Sequence, residues 1–159
     1  MHSSSFIVGV LFVGSVCPQT WTWMGGPQTA GDAGEYGTKG VPSTDNIPGE
    51  RYAAFNWVDN NGDLWLFGGY GATGNCFQIR IKFVAGYNDL WKYTVSNGTW
   101  TWIAGDSGLS SALGVYGTLG TPNIANYPGA RGWGSTWVDS SNNLWLFGGG
   151  GMASVGEGT

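Results

Sequence analysis

Charged residues are scarce in this sequence: they make up 10% of its 159 residues, and only six of them are Lys or Arg. These six lie scattered along the chain, whereas proteins that bind nucleic acid cluster Lys and Arg against the phosphates. We therefore expect no nucleic-acid partner. The ten Asp and Glu residues give a formal net charge of −4, a mild acidic balance that solubility alone explains.

Histidine and cysteine are nearly absent. His2 is the only histidine, and the two cysteines, Cys17 and Cys76, form no C-x-x-C pair. One histidine cannot build the usual zinc sites or a Ser-His-Asp triad, and no carboxylate sits in a catalytic motif. We predict no metal, no cofactor and no catalytic residue. The cysteines fit one disulfide, two free thiols, or the loss of Cys17 with a cleaved leader.

Helical periodicity and long apolar runs are also missing. No stretch repeats apolar residues at i, i+3, i+4 and i+7 over three turns, so no amphipathic helix is predicted. The apolar run near the start, Phe6–Val16, has eleven residues, which is too short to cross a membrane as a helix. We expect no transmembrane helix.

Glycine and tryptophan are abundant instead, with 30 Gly and 10 Trp, a composition typical of short strands joined by tight turns. The chain also repeats itself at an offset of 79 or 80 residues, with 10 of 19 positions identical in the longest match. The matched segments are Arg51–Gly69 with Arg131–Gly149, Tyr36–Gly49 with Tyr116–Gly129, and Thr20–Trp23 with Thr99–Trp102.

One period of this repeat contains four strand patterns. In chain order they are Arg51–Asp59, Leu64–Phe67, Asn88–Val95 and Thr99–Trp102. Three of them alternate side chains between two faces, whereas Leu64–Phe67 is continuously apolar, as expected of an inner strand covered on both faces. We predict four short antiparallel strands in each complete repeat.

The residues Asp59-Asn60-Asn61-Gly62 have two interpretations. Asn and Gly favour a tight hairpin, but Asp59, Asn61 and Asp63 also have the oxygen spacing of a calcium loop. An EF-hand loop needs Gly at its sixth position and Glu at its twelfth, and neither stands there. We therefore favour the hairpin.

Together these motifs resemble the kelch repeat. The shared features are an apolar run that ends in Gly68-Gly69, followed by Tyr93 and Trp100 seven residues apart. The linking pattern YGTxGxPxxxNxPGxR is similar to that of bacterial and galactose-oxidase-like kelch proteins. The resemblance covers roughly residues 20–150. It implies an all-β fold, a β-propeller with blades of four antiparallel strands, of which this chain carries about two as a fragment.

The resemblance implies an organisation in four parts. They are the apolar segment 1–19; residues 20–103, with a fourth strand, a long linker and one complete blade; residues 104–151, with a second linker and the first half of the next blade; and the tail 152–159.

The function that the resemblance implies is a non-catalytic scaffold that binds a protein or a carbohydrate. Copper enzymes of the family need two His and a Cys crosslinked to Tyr, which a single histidine cannot supply. The alternative is a fragment of a secreted galactose-oxidase-like or carbohydrate-active enzyme whose catalytic residues lie outside this sequence. Because two blades leave open sheet edges, we expect self-association or contact with the remaining blades of a parent protein.

The apolar run Phe6–Val16 has two interpretations of its own. It has the length of a signal-peptide core, which would make the protein secreted or extracytoplasmic, but no Lys or Arg precedes it. An offset of 79 instead aligns Leu11-Phe12 with Leu90-Trp91, and the run then becomes a degenerate third strand with Val10 in place of Asp89. We favour the strand.

Several residues are assigned structural roles. The kelch motif residues are Gly68, Gly69, Tyr93, Trp100, Gly148 and Gly149. No helix follows the glycine pairs, so we expect close packing there rather than phosphate binding. Arg51 and Arg131 are expected to bond to loop carbonyls or to an Asp59-type carboxylate, with a ligand role as the alternative. Most Trp residues, about four in five, are expected in the core.

Binding is expected on the face that carries the long loops, which are Tyr70–Tyr87, Met24–Glu50 and Ile103–Ala130. The candidate binding residues are Tyr70, Tyr87, Tyr116 and Trp133. Trp133 stands out because its counterpart in the first repeat is Ala53. The only glycosylation sequon begins at Asn97, in the turn predicted between the third and fourth strands.

Overall fold

The computed structural model describes residues 11–14, 21–73 and 83–153. These residues form short strands and turns and no helix, which confirms the predicted all-β class. None of the described segments could therefore cross a membrane as a helix. Both cysteines, Cys17 and Cys76, the first half of the N-terminal apolar run and residues 154–159 lie outside the described ranges.

The strands are short and are numbered in chain order. They are β1 (Leu11–Gly14), β2 (Trp21–Gly25), β3 (Gly34–Glu35), β4 (Ile47–Pro48), β5 (Phe55–Val58), β6 (Leu64–Phe67), β7 (Tyr70–Thr73), β8 (Phe83–Gly86), β9 (Leu90–Thr94), β10 (Thr99–Ala104), β11 (Arg131–Gly132), β12 (Ser135–Val138), β13 (Leu144–Phe147) and β14 (Gly150–Gly151).

The central sheet contains four antiparallel strands in the order β5-β6-β9-β10. Its register sets Trp57 opposite Trp65, and Leu66 opposite Trp91. These are the four strands predicted from one period of the repeat, and they pair in chain order. The β7–β8 hairpin forms a separate two-stranded sheet between β6 and β9 in the chain.

The turn between β5 and β6 is organised by Asp59. Its carboxylate accepts hydrogen bonds from the backbone N–H groups of Asn61 and Asp63 and from the indole of Trp65. Asp139 accepts the equivalent bonds in the β12–β13 turn. Each carboxylate thus caps a hairpin, in agreement with the hairpin interpretation of the sequence.

The incomplete repeats at both ends reproduce the register of the central sheet. In β12–β13, Trp137 lies opposite Trp145, as Trp57 lies opposite Trp65 in β5–β6. In β1–β2, Gly14 lies opposite Trp21, which is the pairing of Tyr93 with Trp100 shifted by 79 residues. The β1–β2 and β9–β10 pairings also share a shift in register, which falls between Leu11 and Phe12 in the first and between Trp102 and Ala104 in the second. The predicted strand at Leu11–Gly14 is therefore present and correctly aligned.

The core lies between the central sheet and the β12–β13 hairpin. Phe55, Trp57 and Phe67 are buried there, with Leu144 and Leu146 of β13 packed against them. The indole N–H of Trp57 donates to the carbonyl of Trp145 at 2.8 Å and fixes the two layers together.

The expectation that about four in five Trp residues lie in the core is wrong. Five of the ten are exposed: Trp21, Trp23, Trp133, Trp137 and Trp145. Four of these belong to β2, β12 and β13, and among the described residues no further sheet covers the faces that carry them. The repeat pattern identifies these as interior positions, but only a neighbouring layer buries them.

The linker before β5 runs along the free edge of β10. Backbone N–H groups of Gly40 and Ser43 donate to the carbonyls of Trp102 and Trp100. The side-chain amide of Asn46 donates to the carbonyls of Val41 and Trp100, both at 3.0 Å. In the first repeat, Gly40 and Asn46 of the linking motif therefore hold the linker over the edge of β10.

Candidate functional site

A buried ion pair connects the start of β5 to the start of β9. The guanidinium of Arg51 donates two parallel hydrogen bonds to Asp89, at 2.5 and 2.8 Å. The two side chains are 5% and 0% exposed. Burial by itself would lower the pKa of Arg51, but the hydrogen bonds and the charge of Asp89 outweigh it and raise that pKa. The Arg51 guanidinium is therefore charged at neutral pH.

Neighbouring groups complete the coordination of this pair, and we call Arg51, Asp89, Tyr36 and Trp91 together the Arg51 site. The phenol of Tyr36 and the indole of Trp91 donate to Asp89 at 2.5 and 2.7 Å. Arg51 also donates to the carbonyls of Gly49 and Gly68, both at 3.0 Å. Burial, and then the negative charge of Asp89, raise the pKa of the Tyr36 phenol.

The Arg51 site corrects one prediction and supports another. Arg51 does bond to loop carbonyls, but its carboxylate partner is Asp89 and not Asp59, which caps the β5–β6 turn instead. Sequence reasoning missed Asp89 because it lies 38 residues beyond Arg51. The guanidinium is bonded to Asp89 and to two carbonyls, so its contacts favour the structural role of Arg51 over a ligand role.

The first glycine pair lies where three segments converge. Gly68 and Gly69 have φ values of +65° and +89°, and a Cβ on Gly68 would lie 2.5 Å from the carbonyl oxygen of Arg131. Their N–H groups donate to the carbonyls of Asp89 and Arg131. This geometry requires glycine and supports the packing interpretation. The second glycine pair, Gly148 and Gly149, also has positive φ values, of +73° and +82°. The motif residues Tyr93 and Trp100 pack against each other across β9 and β10 with tilted rings, their centroids 5.0 Å apart.

Three aromatic rings meet at the surface beside this junction, and we call Tyr52, Tyr70 and Trp133 the aromatic cluster. Their ring centroids lie 5.0 to 5.9 Å apart. Trp133 is 66% exposed and has a φ of +60°, a conformation that residues other than glycine rarely adopt. The phenol of Tyr70 donates to the carbonyl of Gly150 at 2.5 Å, which ties the cluster to β14.

The predicted binding residues are thus only partly brought together. Tyr70 and Trp133 join in the aromatic cluster, and Tyr52 was missed because its counterpart in the second repeat is a glycine. Tyr87 is 1% exposed and lies beneath the Arg51 guanidinium, so it supports the loops and presents no ring to a ligand. Tyr116 is exposed and accepts a hydrogen bond from Arg131.

The remaining surface features lie elsewhere. Asn97 occupies the exposed turn between β9 and β10, where its side-chain oxygen accepts from the hydroxyl of Thr99. A cavity of about 340 Å³ opens between the linker and the central sheet, with Ile47, Leu66 and Trp100 in its walls. No group of three His, Cys, Asp or Glu side chains suited to a metal ion occurs in the part of the chain that the structure describes.

The linker 103–130 lies against the β7–β8 hairpin, which occupies part of the segment Tyr70–Tyr87 that was predicted to be a loop. The N–H groups of Ser110 and Ser111 donate to the carbonyl of Gly86 in β8.

Comparison with family models, with curated proteins and with solved structures gives no match to this chain.

Proposed function

We propose that this chain is a segment of a kelch-type β-propeller that acts without catalysis as a binding scaffold for a protein or a carbohydrate. Support for the architecture comes from the four-stranded central sheet, the β12–β13 hairpin packed on it, and the identical register of the partial repeats. In a propeller, each sheet covers a face of its neighbour. The hydrogen bond from the Trp57 indole to the Trp145 carbonyl, which joins the central sheet to the β12–β13 hairpin, supports this arrangement.

The observation that carries the binding role is the aromatic cluster. Tyr and Trp rings provide large contact areas at a small entropic cost, because each side chain has only two rotatable bonds. Trp133 projects from the surface at a position where the first repeat has an alanine, so the fold itself does not require this ring. The cluster is therefore the described surface best suited to a ligand.

The scaffold beneath the cluster is rigid. The N–H of Gly69 donates to the carbonyl of Arg131, and its carbonyl accepts from the N–H of Tyr87. Tyr52 and Tyr70 each donate their backbone N–H to the carbonyl of the other. The Arg51 site lies directly below, since Arg51 precedes Tyr52 and bonds to the carbonyl of Gly68. Rings held on such a base lose little further freedom on binding, which favours affinity.

The test is a screen of the whole chain on an oligosaccharide array and an array of overlapping peptides. We expect a ligand whose binding falls at least tenfold in Trp133→Ala and in Tyr52→Ala. Trp23→Ala, which removes an exposed indole from β2, is the matched control and should bind normally. Circular dichroism checks that each variant keeps its fold.

Two results would contradict this proposal. One is that no probe on either array depends on Trp133. The other is that binding is lost only when the turn at Asn61-Gly62 or the turn at Asn97-Gly98 is changed. The second result would move the binding face away from the aromatic cluster.

A further inference from the structure

The cavity between the central sheet and the linker before β5 has the size and walls of a small-molecule site, and we call it the linker cavity. Its volume is about 340 Å³. Pockets that hold small ligands measure roughly 300–1,000 Å³ and are lined mainly by apolar and aromatic side chains. The linker contributes Ile47 to the wall, β2 contributes Met24, and the central sheet contributes Leu66, Tyr93 and Trp100.

Two aromatic side chains of this wall carry polar atoms that have no protein partner. The phenol of Tyr93 and the indole N–H of Trp100 make no hydrogen bond within the described part of the chain. The indole of Trp102, next along the same face of β10, does donate, to the carbonyl of Ala104. No fully buried side-chain nitrogen or oxygen among the described residues lacks a partner, so the two atoms are open to the cavity or to solvent. Both are therefore available to a ligand.

The charge of the wall limits what such a ligand can be. Arg51 is the only charged residue that lines the linker cavity in the described part of the chain, and its guanidinium already pairs with Asp89. A charged ligand would lose its hydration without gaining a free counter-charge, which is unfavourable. A wholly apolar ligand would cover the polar atoms of Tyr93 and Trp100 and leave them unpaired, which is also unfavourable. The ligand that fits is uncharged, with an apolar face and hydrogen-bond acceptors at its edge.

The angle between the two aromatic rings narrows the choice further. The planes of Tyr93 and Trp100 are inclined at 50°, with centroids 5.0 Å apart. Because the planes differ, a flat aromatic ligand could stack on only one of them. A puckered ring can direct C–H groups towards both, while its hydroxyl oxygens accept from the phenol and the indole N–H.

We infer that the linker cavity binds one pyranose unit of an uncharged sugar. Its C–H face packs on Tyr93 and Trp100, and its hydroxyl groups bond to the two free donors. Although Tyr52 lines this cavity and also belongs to the aromatic cluster, the polar atoms that recognise the sugar lie outside that cluster. The inference therefore goes beyond the proposed binding role and does not depend on it.

The experiment titrates the full-length chain with the methyl pyranosides of glucose, galactose and mannose, and follows binding by ligand-observed saturation-transfer NMR. We expect saturable binding of at least one of them, with the strongest transfer to the C–H protons of one ring face. Tyr93→Phe and Trp100→Phe each remove one hydrogen bond and should each weaken binding about fivefold. Tyr127→Phe, which removes a partly exposed phenol from the second linker, is the matched control and should bind normally.

Two further probes test the class of ligand on the unaltered chain. The methyl glucuronide carries a carboxylate on the same ring as the glucoside and should bind more weakly than the best neutral pyranoside. Cyclohexanol has a ring of similar size with a single hydroxyl and should also bind more weakly. Trp133→Ala should leave pyranoside binding unchanged, which separates this test from that of the aromatic cluster.

Four results would overturn the inference. The first is that none of the three methyl pyranosides binds saturably. The second is that Tyr93→Phe and Trp100→Phe bind as well as Tyr127→Phe. The third is that the glucuronide or cyclohexanol binds at least as tightly as the best neutral pyranoside, and the fourth is that Trp133→Ala abolishes binding, which would place the sugar on the aromatic cluster. Because the comparison of probes leaves the chain unaltered, it holds even where a variant folds poorly.

Discussion

Replacing Asp89 by alanine should destabilise the protein severely. Asp89 is completely buried, and it balances the charge of Arg51 while accepting hydrogen bonds from Tyr36 and Trp91. Its removal leaves the Arg51 guanidinium, whose side chain is 5% exposed, without a negative partner. Breaking one side of a buried ion pair costs about 3–5 kcal/mol. That is a large fraction of the roughly 5–15 kcal/mol that holds a typical domain together.

The assay is equilibrium unfolding in urea, followed by tryptophan fluorescence and circular dichroism. Arg51→Met should cost about as much as Asp89→Ala, because it leaves the carboxylate unpaired instead. The double variant Arg51→Met with Asp89→Leu should cost clearly less than the sum of the two single changes, since neither charge remains.

Arg131→Met is the matched control for the ion pair. Arg131 donates to the equivalent carbonyls, those of Gly129 and Gly148, but it has no carboxylate partner in the described part of the chain. The Arg131→Met change should therefore lower the free energy of unfolding by only about 1 kcal/mol. Two results would refute the view that the buried ion pair dominates the stability of this region. One is an equal loss of stability in Arg51→Met and Arg131→Met, and the other is a double variant whose loss equals the sum of the two single losses.

Three further outcomes are expected. First, the pKa of Asp139 is lowered to about 2 by hydrogen bonds from the indole of Trp145 and from Asn143. Because the pKa of this carboxylate is lower in the folded than in the unfolded state, its ionised form stabilises the turn. This stabilisation is complete above about pH 4 and is lost as the pH falls through 2. The Trp145 indole N–H resonance should report this loss, and Asp139→Asn should show no such titration. Second, Gly69→Ala should cost more than Gly62→Ala. Both have positive φ, but only at Gly69 would the new Cβ meet backbone, 2.8 Å from the carbonyl oxygen of Tyr52, and urea unfolding of both variants measures the difference. Third, the isolated chain should self-associate through the exposed face that carries Phe147. Light scattering that shows a monomer at all concentrations, with a cooperative thermal transition, would contradict this.

Much of the fold could be predicted because its signals are local or repeated. Alternating side chains and the Asp59–Gly62 turn predict strands from neighbouring residues alone, and the repeat then transfers each assignment by 79 or 80 positions. In this way even the weak strand at Leu11–Gly14 was aligned correctly with its partner. The candidate site was predicted less well. Tyr87 was placed at the surface, Tyr52 was overlooked and the partner of Arg51 was misassigned, because none of these follows from local pattern.

The sequence by itself determined the all-β class, the four strands of one repeat and the glycine positions, since backbone conformation and the alternation of side chains depend on adjacent residues. Only the tertiary structure decided which surfaces are covered. Trp57 and Trp137 occupy the same place in the repeat, yet one is buried and the other exposed. The β12–β13 hairpin covers the face of the central sheet that carries Trp57, whereas no described layer covers the face of β12–β13 that carries Trp137. The same is true of Arg51 and Arg131. Their local sequences and their bonds to carbonyls agree, but only Arg51 has a carboxylate partner, Asp89, which lies 38 residues further along the chain. Whether a charge can be buried depends on such distant partners.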